Sequence, residues 1–182
     1  MREELYRQWK ADEQAPFAGW DFSYLEGRMV EEIPPWNYVE IARSLVRTST
    51  SVLDIATGGG EIFSQLAPFP KHTVAVEGWH PNVEVARRRL TPLGVQVVES
   101  GALTGLPFAD QTFDLILNRH GGYNVGELHR LLQKNGQFCT QQVGGDSLSD
   151  LLEFFDARPK WPHMVLKTIN LKPRRTITFM GS

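Results

Sequence analysis

Residues 52–61 read VLDIATGGGE, a short apolar run that passes through an aspartate into three consecutive glycines. The apolar run predicts a buried strand, and the glycines predict a tight turn before the next helix. Because glycine lacks a Cβ, this turn can adopt positive φ and approach a ligand closely. In an open α/β sheet the first strand-to-helix turn lies at the carboxyl ends of the strands, where ligands bind. The stretch therefore predicts an α/β fold and the place of its binding site.

Two features of the turn narrow the class of ligand. Asp54 lies at the strand end, where a carboxylate suits a cationic group such as an ammonium and disfavours a pyrophosphate. The third glycine of the dinucleotide-binding pattern G-x-G-x-x-G is missing, since Phe63 takes its place when counted from Gly58 and Gly60. The Walker pattern is absent as well, because no Gly-Lys-Ser/Thr follows the glycines. The turn is therefore expected to bind a ligand with a cationic end.

A second acidic residue follows at a fixed distance. Glu77 ends the next predicted strand, 17 residues after Gly60. An acidic residue at that point can accept hydrogen bonds from both hydroxyls of a ribose, and each such charged bond contributes about 1.5–3 kcal/mol. Gly78 and Trp79 come next and are expected beside a purine. Together with Asp54, this acid indicates a ligand that has both a cationic end and a ribose.

Strand-like and helix-like patterns alternate along the middle of the chain. Strands are predicted at Ser51–Ala56, His72–Glu77, Val95–Glu99, Phe113–Asn118 and Gln137–Val143. Helices are predicted at Glu3–Asp12, Trp36–Val46, Glu61–Ala67, Asn82–Leu90 and Val125–Leu132. Because crossovers between parallel strands are right-handed, this alternation predicts a parallel sheet with helices on both faces.

The end of the chain is expected to close the sheet. Ser147 with Asp150 resembles a capping box for a helix that runs through Phe155. Beyond it, Val165–Leu171 and Arg175–Met180 are strand-like, and we expect them to form an antiparallel hairpin.

Composition bounds the class of protein. The 182 residues are 41% hydrophobic and 22% charged, which suits one ordinary globular domain. The net charge of −2 gives no general attraction to nucleic acid or to an anionic membrane. Cys139 is the only cysteine, which excludes an intramolecular disulfide and a C-x-x-C motif. With no membrane-length apolar run, no signal-peptide pattern and no histidine spacing that suits a metal, we expect a cytoplasmic protein without a metal site.

Three further segments complete a pattern that resembles a known family. They read VAVEGWHPNVEVARRRL, GLPFADQTFDLILNRH and LHRLLQKNGQFCTQQVG. With the glycine turn, they are similar to the class I S-adenosylmethionine-dependent methyltransferases, close to the methyltransferase type 11 group, whose L-P-F-x-D-x-x-F-D signature matches residues 106–114. The resemblance covers about residues 51–143. It implies a Rossmann-like class I methyltransferase fold, with a mostly parallel seven-stranded sheet, an antiparallel last strand, helices on both faces and a shortened C-terminal end.

The resemblance also implies a single methyltransferase domain over residues 1–182. Residues 1–47 would be an aromatic-rich helical segment, either packed on the core or closed over the cofactor as a lid. Residues 51–143 would be the cofactor-binding core, and residues 144–182 a C-terminal helix and hairpin. The basic residues after Asp156 are interpreted as a charged sheet edge in preference to an RNA-binding surface.

The implied cofactor is S-adenosyl-L-methionine, and the implied activity is methyl transfer to an unidentified acceptor, with a small molecule favoured over RNA. The residues expected to bind the cofactor are Asp54, Ala56, Thr57, Gly58, Gly60, Glu77, Gly78, Trp79, Ala102, Leu103 and Asn118. In this arrangement Asp54 and the glycine turn hold the methionine part, Glu77 the ribose, and the backbone near Ala102 and Leu103 the adenine. One departure concerns the adenine, since residues 100–105 lack the carboxylate that often accepts its amino group.

The residues after the fourth predicted strand are the candidates for binding the acceptor. Arg119 suits an anionic group, and His120 is the candidate catalytic residue as a general base. We favour a ligand-lining role for His120, because no carboxylate is evident to orient it and the glycines at 121 and 122 make its turn mobile. A cluster that only completes the strand end is the alternative.

Two other classes of function stay open on the sequence. A nicotinamide-dependent oxidoreductase is one, although Asp54 and the missing third glycine argue against it. A non-catalytic module that binds S-adenosylmethionine is the other, since the tail is short and the adenine-side carboxylate is absent. The acceptor, the use of a general base and the oligomeric state are not determined by the sequence.

Overall fold

The computed structural model of the chain describes residues 2–15, 23–28, 35–103, 105–144, 149–158 and 176–181. Its helices are α1 (Arg2–Glu13), α2 (Tyr38–Thr48), α3 (His80–Leu90), α4 (Val125–Leu131) and α5 (Ser149–Phe154). Its strands are β1 (Ser51–Ile55), β2 (His72–Glu77), β3 (Gln96–Glu99), β4 (Phe113–Arg119), β5 (Leu132–Gln142) and β6 (Thr176–Gly181). Short 3₁₀ turns lie at Ser23–Leu25, Phe63–Leu66 and Thr91–Leu93. The predicted α/β class is confirmed.

The strands of these ranges form one sheet in the order β3-β2-β1-β4-β5-β6. All of these neighbouring strands pair in parallel. At the centre of the sheet, Leu53 of β1 lies opposite Val74 of β2 on one side and Ile116 of β4 on the other. The chain leaves β1 toward β2 and β3, and then returns to build β4 and β5 on the other side. The carboxyl ends of β1 and β4 therefore meet at the point where the strand order reverses, which is where open α/β sheets bind ligands.

The prediction of an antiparallel last strand is wrong for β6. This strand runs parallel to β5, with Phe138 opposite Ile177 and Gln141 opposite Met180. A parallel partner needs a crossover of a dozen or more residues, and residues 143–175 supply that length, whereas an antiparallel hairpin would need only a short turn. The described ranges contain six strands rather than seven, and the predicted strand Val165–Leu171 lies outside them.

Helices cover both faces of the sheet, as predicted. On one face α2 and α3 pack their small and aliphatic residues, including Ala42 and Leu90, against Val52 of β1. On the other face α4 packs Leu131 in the cluster that contains Leu53. Neighbouring residues of a strand point to opposite faces, so β1 contributes to both cores. Full burial of such side chains contributes about 1.5–3 kcal/mol each, and it fixes the central strands that carry the site.

Two helix predictions differ from the structure. The helix expected at Trp36 begins at Tyr38, because Asn37 is its N-cap and accepts a hydrogen bond from the Glu40 N–H at 3.2 Å. The helix expected at Glu61–Ala67 is a single 3₁₀ turn, since few residues separate the glycines from Pro68 and a nucleus that short is unstable. None of the described helices has the length and apolar composition needed to cross a membrane.

The signature segment 106–114 is held by structural contacts. Arg130 of α4 donates to the carbonyls of Leu106 and Phe108 at 3.0 and 2.6 Å, and to the carboxylate of Asp110 at 3.0 Å. At the amino end of β4, the Asp114 carboxylate accepts the Thr50 N–H at 2.8 Å. Burial acts to raise the pKa of Asp114, but its hydrogen bonds outweigh burial and hold the pKa below its usual value. The signature therefore stabilises the fold, on the side of the sheet away from the glycine turn.

The aromatics of the N-terminal segment that the structure describes differ in their burial. Tyr38 is buried in the core between α2 and the sheet, and Trp36 packs against the same core. By contrast, no residue of α1 is buried, and Tyr6 and Trp9 are 57% and 61% exposed. Among the described aromatics of this segment, Tyr38 and Trp36 therefore pack on the core, whereas those of α1 are largely exposed. The predicted cap Ser147 lies outside the described residues, although α5 does begin near it.

Candidate functional site

The glycine turn follows β1 directly at the carboxyl edge of the sheet. The Thr57 N–H donates to the carbonyl of Val76 at 3.0 Å and ties the start of the turn to β2. Gly58 and Gly60 have φ of 63° and 78°, the left-handed region that other residues adopt at a cost. A Cβ on Gly60 would also lie 2.8 Å from Leu90, so the turn packs tightly on α3. The φ at both positions therefore favours glycine, and at Gly60 the contact with Leu90 also leaves no room for a side chain.

The carboxylate of Glu77 organises this turn from the neighbouring strand. It is buried, and its two oxygens accept the N–H groups of Gly58 at 2.7 Å and of Trp79 at 2.8 Å. A carboxylate has about four acceptor positions, so each oxygen retains capacity for another donor. The structure thus brings Glu77 and the glycine turn together, as the spacing predicted, with acceptor capacity suited to a diol.

Asp54 lies at the end of β1 and is buried with 6% of its surface exposed. Burial raises the pKa of this carboxyl to about 7, the Thr57 hydroxyl acts in the opposite direction, and the negative charge of Glu77 raises it further. A buried carboxyl of this kind favours a cation that neutralises its ionised form. The environment of Asp54 therefore fits the ammonium end that the sequence indicated.

A cleft opens beside Asp54 between β1, β4 and α2. It is lined by Tyr38, Asp54, Ala56, Thr57, Glu61, Ile62, Phe63, Leu66 and Arg119. Its volume of about 30 Å³ is far below the roughly 300 Å³ at which drug-sized pockets begin. The cleft is therefore narrow and could admit only a small group at one end of a ligand.

Ala56 lines this cleft in an unusual conformation. Its φ is 60°, a left-handed value that costs a residue other than glycine about 1–2 kcal/mol. A Cβ on Gly121 would collide with the Cβ of Ala56 and lie 2.9 Å from Nδ2 of Asn118. The loop after β4 therefore packs directly on the glycine turn, and such strained contacts are typical of functional sites.

The predicted site residue Asn118 is placed among the strands. It is fully buried, and its Nδ2 donates to the carbonyl of Ile55 at 3.0 Å. Its Oδ1 accepts from Thr140 Oγ1 at 3.2 Å and from Gln142 Nε2 at 2.5 Å. Gln142 also donates to the carbonyl of Gly121 at 3.2 Å. This network joins the carboxyl ends of three strands, so we interpret Asn118 as a residue that holds the loop after β4 in position.

Arg119 and His120 follow at the same edge. Nε of Arg119 donates to Oε1 of Gln141 at 2.9 Å, and the side chain reaches the cleft that contains Asp54. His120 has φ of 58°, and its backbone N–H donates to the carbonyl of Gln141 at 2.8 Å. Burial lowers the pKa of His120 to about 4, and the positive charge of Arg119 acts in the same direction. The imidazole is therefore neutral at pH 7 and a weak base.

The residues predicted for the adenine border the other half of the edge. Trp79 and Leu103 are 48% and 65% exposed. A Cβ on Gly122 would lie 3.2 Å from the Leu103 side chain, and one on Gly78 would lie 3.2 Å from Cα of Gly101. The ends of β2 and β3 and the loop after β4 thus converge on one side of the glycine turn, with apolar surface available for a purine.

Several residues of the site were not predicted. Gln141 and Gln142 stand at the carboxyl end of β5, and two adjacent buried polar residues at that edge were a signal that the strand prediction already contained. Tyr38 and Glu61 line the cleft as well. Nothing in the spacing of the sequence indicates that the first residue of α2 reaches the turn after β1, since this contact depends on how the helix packs.

Comparison with known proteins agrees with this geometry. Residues 53–140 match the family model described as a methyltransferase domain. The chain is 31% identical over 101 residues to the uncharacterized methyltransferase YcgJ of Bacillus subtilis. This alignment covers 50% of the chain and 40% of YcgJ. The chain is also 31% identical over 137 residues to the ubiquinone/menaquinone biosynthesis C-methyltransferase UbiE of Stenotrophomonas maltophilia. This alignment covers 69% of the chain and 51% of UbiE. The chain thus spans about half the length or less of these relatives.

A solved structure supports the same assignment. A Bacillus halodurans protein (BH2331) that has been ascribed a methyltransferase role superposes with a TM-score of 0.53 at 26% identity, covering 64% of the chain and 55% of that protein. The glycine turn and both carboxylates, Asp54 and Glu77, fall within the residues that the family model matches. Together, the family model, the relatives and the solved structure support a class I S-adenosylmethionine-dependent methyltransferase domain over residues 53–140.

Proposed function

We propose that the protein binds S-adenosyl-L-methionine and transfers its methyl group to a small-molecule acceptor. The observation that carries the proposal is the pair of buried carboxylates, Asp54 and Glu77, on neighbouring strand ends with the glycine turn between them. One carboxyl is in an environment that favours a cation, and the other has acceptor capacity for two hydroxyls. An ammonium and a ribose at opposite ends of one ligand match this pair.

Each part of the cofactor has a proposed set of contacts. Asp54, with Ala56, Thr57, Gly58 and Gly60, holds the methionine end at the glycine turn. Glu77 accepts the ribose hydroxyls. The exposed side chains of Trp79 and Leu103, with Gly78 and Ala102 beside them, border the adenine. A carboxylate partner for the adenine amino group is absent from residues 100–103 and 105, so backbone groups take that role.

The methyl transfer itself requires little acid–base catalysis by the protein. The bound cofactor supplies a methyl group on a positively charged sulfur, which is already activated toward displacement. The protein's own residues then align the acceptor with that methyl group and exclude water. Asn118 contributes indirectly, by holding the loop after β4 through its bonds to Ile55, Thr140 and Gln142.

His120 is proposed to place the acceptor. The ideal catalytic base has a pKa near the working pH, whereas burial lowers the pKa of His120 to about 4. A neutral imidazole at the edge of the site can still accept or donate a hydrogen bond to the acceptor. We therefore favour positioning of the acceptor over proton transfer for this residue.

A small molecule is the class of acceptor that fits best. The net charge of −2 gives no general attraction to nucleic acid. The relative UbiE is named for a C-methylation in ubiquinone and menaquinone biosynthesis, which is small-molecule chemistry. We propose a cytoplasmic location for this reaction.

Turnover with labelled cofactor tests the proposal. The protein would be incubated with methyl-labelled S-adenosylmethionine and a cell extract divided into low-mass, RNA and protein fractions. We expect label to enter the low-mass fraction with the wild-type chain and not with the Glu77→Ala variant. Label in the RNA or protein fraction would replace the small-molecule acceptor with that class, and cofactor binding without label in any fraction would favour a non-catalytic binding module.

A further inference from the structure

Gly59, the middle glycine of the turn, lies against a side chain that folds back over the turn. A Cβ on Gly59 would lie 2.3 Å from Oε1 of Glu61 and 2.9 Å from the side chain of Val85 in α3. Both distances are too short for a real Cβ atom. The absence of a side chain at Gly59 therefore leaves the space in which the carboxylate of Glu61 packs on the turn.

Arg89, in the last turn of α3, holds this arrangement from the adjacent helix. Its Nη1 donates to the carbonyl of Gly59 at 2.6 Å and to Oε1 of Glu61 at 2.6 Å. The N–H of Gly60, which belongs to the same peptide group as the Gly59 carbonyl, donates to the carbonyl of Thr57 at 3.1 Å. This peptide group is therefore fixed at both ends, by α3 on one side and by the turn itself on the other.

The carboxylate of Glu61 depends on Arg89 for compensation of its charge. Its other oxygen, Oε2, is buried and has no hydrogen-bond partner within the described ranges of the chain. Asp54 lines the same cleft as Glu61, and the carboxylate of Glu77 contacts the same turn. Because like charges repel and a buried charge without a partner is unfavourable, loss of the guanidinium is expected to displace Glu61 and to release the backbone carbonyl.

The helix α3 also joins the two ends of the proposed cofactor site. It begins directly after Trp79, whose N–H donates to Glu77 at 2.8 Å. Its last turn contacts the glycine turn through Arg89, and Leu90 packs so closely on Gly60 that a Cβ there would lie 2.8 Å away. One helix therefore connects the part of the site proposed for ribose and adenine with the part proposed for methionine.

We propose that Arg89 is a positioning residue of the cofactor site, which acts through Gly59 and Glu61 and fixes the conformation in which the glycine turn binds its ligand. The inference rests on the proposed cofactor site and adds to it a residue that acts from outside the turn. A turn that is already ordered lowers the cost of binding. Loss of Arg89 is therefore expected to weaken affinity for the cofactor.

Calorimetry with S-adenosylhomocysteine tests this role of Arg89. Arg89→Gln is expected to weaken binding about tenfold, because a charged hydrogen-bond donor to both groups is lost. Arg89→Lys keeps the charge beside Glu61 and is expected to weaken binding only about threefold. Arg88→Gln removes the neighbouring, exposed arginine of the same helix and serves as the matched control, with affinity expected within about twofold of the wild type.

A double variant tests whether Arg89 acts through Glu61. Glu61→Gln removes the negative charge, while its amide oxygen can still accept from the guanidinium. Arg89→Gln should therefore cost less affinity when Glu61→Gln is already present, about threefold instead of about tenfold. Thermal unfolding of each variant reports whether it is folded at the temperature of the titration.

Amide NMR spectra without ligand supply a measurement that a general loss of stability would not move. In Arg89→Gln the signals of the three glycines of the turn are expected to shift or broaden. The signals of the buried strand residues Leu53 and Ile116 are expected to stay in place. Arg88→Gln is again the control, and it should leave both sets of signals unchanged.

Three results would overturn the role proposed for Arg89. They are an unchanged affinity in Arg89→Gln, an equal loss of affinity with and without Glu61→Gln, and changes of the NMR signals in the strands as large as those in the turn. A wild-type chain that does not bind S-adenosylhomocysteine would instead remove the proposed function. The NMR spectra would then still decide whether Arg89 holds the turn.

Discussion

The carboxylate of Glu77 accepts a hydrogen bond from the backbone N–H of Gly58 at 2.7 Å, across two neighbouring strand ends. Gly58 has a left-handed φ of 63°, which favours glycine, and its turn is held by an acidic residue of the next strand. The same carboxylate is proposed to bind the ribose. Glu77 is therefore expected both to hold the turn and to bind part of the ligand, so its loss should weaken the turn as well as ligand binding.

Glu77→Gln is the first prediction. A neutral amide keeps one acceptor for Gly58 but loses the charge and the second acceptor, which currently receives the Trp79 N–H at 2.8 Å. Affinity for S-adenosylhomocysteine is expected to fall at least tenfold in calorimetry. The control is Glu99→Gln, an exposed acid opposite Glu77 in the β2–β3 pairing, which should leave affinity within twofold. Equal effects of the two substitutions would place the ribose elsewhere.

Asp54→Asn is expected to stabilise the protein without ligand at high pH. The pKa of Asp54 in the folded protein is about 7, above its ordinary 3.8, so folding favours the protonated carboxyl. The protonated carboxyl contributes fully to the free energy of unfolding below about pH 4, and this contribution is lost as the pH rises through about 7. The change in pKa between the unfolded and folded protein corresponds to a contribution of at most about 4 kcal/mol. Urea unfolding at pH 5 and pH 8 should show the variant's advantage growing with pH, and a gap independent of pH contradicts the account.

The same ionisation predicts how ligand affinity depends on pH. Binding of an ammonium requires the ionised carboxyl, and with a pKa of about 7 the ionised fraction of Asp54 rises strongly between pH 6 and pH 8. Affinity for S-adenosylhomocysteine is expected to rise about tenfold over that range. His120, with its pKa of about 4, does not titrate there. Calorimetry of Asp54→Asn should give a flat profile, and an equally steep one would assign the dependence to another group.

The contact between Ala56 and Gly121 predicts coupled effects on stability. Gly121→Ala would add a methyl group that collides with that of Ala56, at an expected cost of about 1–3 kcal/mol. Ala56→Gly removes a left-handed alanine and is expected to stabilise by up to about 1 kcal/mol. In the double variant at least half of the loss should be recovered, as measured by urea unfolding in a double-mutant cycle. Strictly additive changes would mean that the two residues do not touch.

The imidazole of His120 is expected to titrate far below an ordinary histidine. Burial, with the charge of Arg119, lowers its pKa to about 4. NMR spectra of the ring between pH 4 and pH 8 should therefore show His120 neutral down to about pH 5, with exposed His129 as an internal comparison. A midpoint near 6.5 would restore His120 as a candidate general base.

The sequence was informative where local pattern and chain direction decide the outcome. Asp54 and Glu77 could be placed at one edge because each ends a buried strand, and parallel strands end at the same edge. The orientation of the last strand could not be predicted, since β6 pairs parallel to β5 through a crossover whose path depends on the intervening chain. Asn118 was expected to face the ligand, but its partners Thr140 and Gln142 come from a separate strand, and only the register reveals them.

The contacts in the cleft beside Asp54 could not be predicted either, because they depend on tertiary packing. Tyr38 reaches the site because α2 packs over the end of β1, and Arg119 is oriented because Gln141 lies opposite it in β5. The spacing of residues in the sequence indicates neither of these contacts. The elevated pKa of Asp54 likewise results from burial by residues distant in the chain.

The central claim is that this edge of the sheet binds S-adenosylmethionine through Asp54 and Glu77. Isothermal titration of the wild-type chain with S-adenosylhomocysteine and, separately, with NAD tests it most directly. We expect saturable one-to-one binding of S-adenosylhomocysteine, weakened at least tenfold in Glu77→Ala and in Asp54→Asn, and no measurable binding of NAD. Tight binding of NAD with no heat from S-adenosylhomocysteine would contradict it, as would unchanged affinity in both variants.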